Sequence, residues 1–186
     1  MAHRVCPWWL GYLLASPLRR FAQDPRTILA PFVRDGMTVL EPGPGMGFFT
    51  MEIARLVGPK GRVVAVDIEP RMLDGLRRRA GKRGLLDRLD VRQAADSGLG
   101  VSDLAGRVDF ALAFAVVHEV PDPARFFADL HAALKPGGKL LLAEPRGHVA
   151  EEEFGTTILA ATGAGFREEA APDIARSRAA LLAGGR

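Results

Sequence analysis

From residue 38 onward, short apolar runs alternate with longer amphipathic ones, and this alternation constrains the fold more than any other feature of the chain. Thr38–Pro42, Gly61–Asp67, Leu89–Gln93, Val108–Phe114 and Lys139–Glu144 read as strands. Between them, Phe48–Val57, Pro70–Lys82 and Asp122–Leu134 read as helices, with Pro70 suited to a first helical turn. Gly58-Pro59 and Lys135-Pro-Gly-Gly138 stop the helices they follow and turn the chain. Strands joined by helices form βαβ units, and such units build a mostly parallel sheet. Val108–Phe114 is of the kind buried on both faces. The tail departs from this pattern. Glu151–Thr162 reads as a helix whose Glu151-Glu-Glu153 start complements the helix dipole. Gly165–Ala171 and Ser177–Leu182 follow, about five residues apart, a spacing that allows only antiparallel pairing.

A chain of 186 residues, 48% hydrophobic and 25% charged, can bury one full core and is not a disordered or linker sequence. The single cysteine, Cys6, excludes an internal disulfide framework and a multi-cysteine zinc site, and fits a reducing compartment such as the cytoplasm. The net charge of +3, carried by 21 Arg against 4 Lys, is too small to imply a nucleic-acid partner by itself.

The first 25 residues stand apart as an aromatic and apolar arm, leaving 26–186 as the α/β domain. The run Cys6–Ser16 is shorter than the roughly 20 residues a membrane span needs. It also lacks a signal-peptide cleavage pattern, because Pro17, Arg19 and Arg20 follow it directly. It reads either as an arm packed on the domain or as a lid or weakly interfacial patch built from Trp8, Trp9, Tyr12 and Leu13.

The chemistry gathers at the ends of the strands. Glu41-Pro-Gly43-Pro-Gly45-Met-Gly47 closes the first strand and opens the first helix, where glycines let a ligand approach the backbone. Phe48 occupies the position where a dinucleotide fingerprint needs its third glycine, which disfavours a nicotinamide oxidoreductase, and no Gly-Lys-Ser/Thr triplet makes a P-loop. Asp67 ends the second strand, where an acid accepts ribose hydroxyls. Asp96, just past the third strand, is placed to reach an adenine amine, and Glu41 beneath the turn to meet an ammonium group. Three acids with no nearby basic pair suit a cationic, phosphate-free nucleoside.

These residues resemble the class I S-adenosylmethionine-dependent methyltransferases. Val39–Gly47 looks like that family's first motif, Val64–Leu73 like its second, Ala94-Ala-Asp96 like its third acidic loop, and Leu130–Leu142 like its approach to the fifth strand. The resemblance implies a Rossmann-like, doubly wound, mostly parallel seven-stranded sheet, with helices on both faces and a C-terminal antiparallel hairpin. It implies S-adenosylmethionine as cofactor, with Gly43, Gly45 and Gly47 lining the methionine part and Glu41 organising the amino group. It also places Asp67 on the ribose, Ile68 against the adenine, Asp96 on the adenine amine and Phe114 near the adenine and the methyl group. Ala113–Val120 lacks the Asn/Asp-Pro-Pro-aromatic of exocyclic-amine methylators, and one cysteine cannot serve arsenite methylation. Val116–Asp122 is similar to small-molecule methylators, including the quinone-biosynthesis group.

Methyl transfer to a protonated nucleophile needs a base. His118 is the first candidate, with an unperturbed pKa near 6.5; a structural, helix-start histidine is the competing reading. Glu119 is a weaker candidate, as are Glu144 and His148, while His3 and His131 read as surface residues and no metal-ligand spacing occurs. Arg77-Arg-Arg-Ala-Gly-Lys-Arg83, with Arg88 and Arg92, reads as a solvated helix face rather than an RNA footprint, because no aromatic residues interleave for stacking. The expectation is methyl transfer to a small, apolar or aromatic acceptor. The alternatives are an RNA methyltransferase using the arginine helix, or a non-catalytic protein that binds the cofactor.

Overall fold

In strand β2 (Arg62–Asp67) the side chains of Val63, Val64, Ala65 and Val66 are all buried, so both faces of the strand are covered. That is the environment of a strand inside a parallel sheet flanked by helices. The computed structural model describes residues 23–95 and 98–184, which are also its two compact units.

The first unit runs α1 (Pro25–Leu29), β1 (Thr38–Pro42), α2 (Thr50–Leu56), β2, α3 (Pro70–Gly81) and β3 (Leu89–Gln93). β1 and β3 flank β2, both parallel to it, with Leu40 level with Val64 and Val64 level with Asp90. Helix α3 begins where Glu69 accepts the Arg71 N–H at 3.0 Å and Pro70 occupies the first turn. Its buried residues Met72, Leu73, Leu76 and Ala80 recur at helical spacing and lie against β2 and β3.

The second unit runs β4 (Val108–Phe114), α4 (Pro123–Ala133), β5 (Leu134–Pro145), α5 (Glu151–Gly163), β6 (Phe166–Ala170) and β7 (Ser177–Gly184). β4 and β5 are parallel, whereas β7 runs antiparallel to both β5 and β6. The first unit orders its strands β3-β2-β1 and the second β4-β5-β7-β6, seven strands in all among the described residues. Helix α4 is capped by Asp122, which accepts the Arg125 N–H at 3.0 Å, and buries Phe126, Phe127, Leu130 and Ala133. Full burial of a side chain such as Phe127 or Leu130 is worth about 1.5–3 kcal/mol. The tail hairpin forms as its spacing requires. Its outer strand β6 buries only Phe166 and keeps Arg167, Glu168 and Glu169 exposed, charges that protect an edge from further pairing.

Four local features differ from the sequence reading. Helix α2 starts at Thr50, not Phe48, because Gly47 lies at φ +83° and the chain is still turning there. Lys135–Gly138 does end α4, but it lies inside β5. Pairing begins at Val108 with Leu134 and resumes at Phe110 with Lys139, so the extra residues bulge out of the ladder. Asp24 and Pro25 start a short helix, the cap accepting the Arg26 N–H at 3.3 Å, in a stretch read as part of the arm. His131 is not a free surface residue; its ring meets Phe166 edge to face at 5.2 Å. The aromatic arm, Cys6 and Asp96 lie outside the described residues.

Candidate functional site

The end of β1 carries an electrostatic anomaly. Glu41 is buried, and among the described residues its Oε2 has no hydrogen-bond partner; the buried Thr50 hydroxyl nearby lacks one too. Burial pushes the Glu41 carboxyl from its ordinary 4.5 up to about 8. The Thr50 hydroxyl offsets part of this without completing a hydrogen bond, and the charge of Asp67 adds to it. Burial without a partner favours the neutral acid, and a cation brought beside it would favour the charged form.

Beside Glu41 the glycine turn folds back on the sheet. Gly43, Gly45 and Gly47 all have positive φ, at 68°, 53° and 83°. The Gly43 N–H donates to the Val66 carbonyl at 2.8 Å, which ties the turn to β2. Two of the glycines serve different ends. A Cβ on Gly45 would meet nothing within 4 Å, so its backbone faces open space. A Cβ on Gly47 would lie 2.5 Å from Leu76 Cδ1, so this glycine lets the turn dock against α3. Helix α3 holds the turn further: Arg79 Nη1 donates to the Met46 carbonyl at 2.6 Å, and the Met46 side chain sits over Gly75.

Asp67 ends β2 and braces the same turn. Its Oδ2 accepts the Gly45 N–H at 3.1 Å and its Oδ1 accepts the Glu69 N–H at 3.0 Å. Burial raises its pKa despite these bonds. A carboxylate has about four acceptor positions, so capacity is left for the two hydroxyls of a ribose. Ile68 follows, 47% exposed, one of three large apolar side chains exposed among the described residues. This exposed aliphatic side chain beside Asp67 is a surface on which a flat ring can lie. In the first unit, then, Glu41, Gly43, Gly45, Gly47, Asp67 and Ile68 come together.

The second unit holds another group. Phe114 ends β4 and is buried. Ala115 follows at φ +56°, a conformation that costs a residue with a Cβ about 1–2 kcal/mol. A single 3-10 turn, Val117–Glu119, then presents His118. Glu144, wholly buried at the end of β5, organises this corner. Its Oε1 accepts the Val116 and Val117 N–H groups at 3.2 and 2.7 Å, and its Oε2 lies 2.5 Å from His118 Nδ1. This hydrogen bond is the main reason the His118 pKa rises above its ordinary 6.5. Burial opposes the rise, and the charges of Glu144, Glu119 and Glu153 support it. Glu119 reaches the other ring nitrogen only at 3.8 Å. The sequence reading ranked Glu144 below His118 and level with His148, whereas the fold makes it the partner that His118 depends on. Its signal was a lone carboxylate closing the apolar run Leu140–Ala143.

A turn of left-handed glycines, a buried carboxylate short of a donor and a ribose-type acid form a set of donors and acceptors for a cationic nucleoside. The methyltransferase domain family matches residues 33–171. The chain belongs to the class I S-adenosylmethionine-dependent methyltransferases. The ubiquinone biosynthesis O-methyltransferase of Methylocella silvestris is 34% identical over 143 residues, covering 76% of this chain and 53% of that protein. The ubiquinone/menaquinone biosynthesis C-methyltransferase UbiE of Pasteurella multocida is 33% identical over 118 residues, covering 63% of this chain and 43% of that protein. This methyltransferase-family chain therefore spans about half the length of these curated relatives. A crystal structure of an S-adenosylmethionine-dependent methyltransferase from Aquifex aeolicus shares its fold. The TM-score is 0.85 and the identity 24%, over 96% of this chain and 98% of that one. Among the described residues, no helix is long and apolar enough to cross a membrane.

Proposed function

We propose that this chain binds S-adenosylmethionine and transfers its methyl group to a small, apolar or aromatic acceptor. The observation that carries the cofactor half is Glu41 Oε2, buried and without a hydrogen-bond partner among the described residues, beside a glycine turn whose Gly45 backbone faces open space. Glu41 takes the cofactor's ammonium group, Gly43 and Gly45 give its methionine part access to the backbone, and Gly47 keeps the turn seated on α3. Asp67 accepts the ribose hydroxyls, Ile68 lies against the adenine, Asp96 accepts from the adenine amine, and Phe114 stands near the adenine and the methyl group. The bound cofactor supplies an electrophilic methyl on a sulfonium, so the protein's work is alignment and exclusion of water. His118 is the base for an acceptor that arrives protonated; Glu119 lies farther from the free ring nitrogen and adds negative charge there.

The curated relatives named for quinone biosynthesis support a small acceptor. So does the condition of the arginines. Arg77 donates to Asp74 and the Val91 carbonyl, Arg79 to Met46, Arg88 to the Ala54 carbonyl and Arg92 to Asp90. These side chains are engaged within the fold, which weighs against an arginine helix laid on RNA. The arm of residues 1–25 is read as a lid over the acceptor, and the lone Cys6 fits a reducing compartment such as the cytoplasm.

Methyl transfer from labelled S-adenosylmethionine to catechols and hydroquinones, with total RNA in parallel, tests the reading. Label in the small acceptors supports it; label in RNA alone supports the alternative. Tight cofactor binding with no transfer to any cellular fraction supports a non-catalytic partner protein.

A further inference from the structure

We infer that Glu144 is the positioning residue of His118, and that the pair is built for an acceptor arriving with an O–H group. The inference rests on the reading of His118 as a base.

Glu144 stands at the end of β5 and His118 in the turn after β4, so strands paired Phe114 with Ala143 bring them together. The Ala115 N–H donates to the Ala143 carbonyl at 2.7 Å, which carries the ladder one step past the end of β4. There the backbone swings into the left-handed region at Ala115. That swing turns the Val116 and Val117 N–H groups onto one oxygen of Glu144, leaving the other for the imidazole. With two backbone N–H groups donated to its Oε1, an ionised Glu144 has only acceptor capacity on Oε2, and His118 then donates to it through Nδ1–H. Neutral His118 is thereby held as the Nδ1–H tautomer, with the lone pair on Nε2. Among the described residues Nε2 makes no hydrogen bond; Glu119 stands 3.8 Å away. The other titratable groups around the ring are Glu153 on α5 and His148, whose ring centroid is 6.2 Å away.

This arrangement supplies one thing: a base of fixed tautomer whose charged form is stabilised by a buried carboxylate. An acceptor without a proton to lose gains nothing from it. In the step it serves, an oxygen lone pair forms the new C–O bond to the methyl carbon. The C–S bond breaks with its electron pair going to sulfur, and the O–H proton passes to Nε2. The products are a methyl ether, S-adenosylhomocysteine and His118 imidazolium, its Nδ1–H still on Glu144.

Histidine-selective 15N NMR of the full chain, titrated without cofactor, reads the pairing apart from any methyl transfer. His118→Gln assigns the resonance. The expected result is neutral His118 as the Nδ1–H tautomer with a midpoint above 6.5, and loss of both features in Glu144→Gln. Glu144→Asp keeps a carboxylate and serves if the Gln variant fails to fold; it should retain the tautomer. In a catechol methylation assay, the rate rises with pH through the His118 midpoint. Glu144→Gln moves that limb to lower pH and lowers kcat, while the KM for S-adenosylmethionine stays the same. His118→Gln lowers kcat by about a hundredfold or more, the usual scale of a lost general base. An unchanged tautomer and midpoint in Glu144→Gln overturns the positioning role. An intact pairing by NMR with unchanged kcat and pH profile in His118→Gln overturns the base reading, and with it the O–H acceptor.

Discussion

The Asp67 carboxylate accepts the Gly45 N–H at 3.1 Å across 22 residues of sequence, joining the acid that ends β2 to the middle of the glycine turn. One side chain therefore shapes the loop and, in the proposed complex, holds the ribose. Burial raises its pKa, opposing the backbone hydrogen bonds that favour the charged form. Asp67→Ala should weaken S-adenosylhomocysteine binding by about 100-fold or more, since each of the two hydroxyl bonds to the carboxylate is worth about 1.5–3 kcal/mol. Isothermal calorimetry checks this; an unchanged affinity would remove Asp67 from the site.

Glu41 carries the clearest pH dependence. Its pKa is 4.5 when exposed and about 8 in the fold, so folding takes up a proton between those values. The resulting stability is fully present below pH 4.5 and is lost as pH rises to about 8. The loss runs at up to about 1.4 kcal/mol per pH unit. Urea unfolding from pH 5 to 8 should show wild type losing stability relative to Glu41→Gln. Parallel curves for the two proteins would contradict the assignment. Cofactor binding should move in the opposite direction for this group, strengthening as Glu41 ionises.

Gly45 and Gly47 separate binding from stability. Gly47→Ala places a Cβ 2.5 Å from Leu76 Cδ1 in a left-handed conformation and should cost about 2–3 kcal/mol of stability, combining backbone strain with overpacking. Gly45→Ala has the backbone strain alone, about 1–2 kcal/mol, but puts its methyl on the open side of the turn. It should lose much more cofactor affinity than stability. Thermal melts with and without S-adenosylhomocysteine distinguish the two, and equal behaviour would show that the turn is only structural.

Arg79 tests whether the arginine helix serves the fold. Arg79→Ala removes the hydrogen bond to the Met46 carbonyl and should destabilise the protein by about 1–2 kcal/mol, with weaker cofactor binding through a loosened turn. Unchanged stability, together with salt-sensitive loss of RNA binding, would favour the nucleic-acid reading.

Strands β1 and β4 begin and end where the sequence places them, because a strand covered on both faces admits few polar residues until it emerges. The glycine turn and Asp67 were legible for a related reason: their residue types answer local backbone and ligand demands. The pairing of His118 with Glu144 was not legible. It joins residues 26 apart through the register of β4 on β5 and a left-handed alanine, neither of which leaves a mark in composition or periodicity. The bond from Arg79 to Met46, 33 residues apart, escaped for the same reason, while Arg77, Arg78, Lys82 and Arg83 are exposed as a solvated helix face requires. Likewise, the Lys135–Gly138 bulge depends on how β5 resumes pairing with β4, which a glycine pair alone does not specify.

The most direct test of the account is a thermal unfolding comparison of the cofactor-free chain with S-adenosylhomocysteine and with NADH, repeated in Glu41→Gln. S-adenosylhomocysteine at a hundredfold excess over its dissociation constant should stabilise wild type by about 2.7 kcal/mol. NADH should do nothing, and the Glu41→Gln variant should need a much higher S-adenosylhomocysteine concentration for the same shift. Stabilisation by NADH in place of S-adenosylhomocysteine, or by neither, would contradict the account.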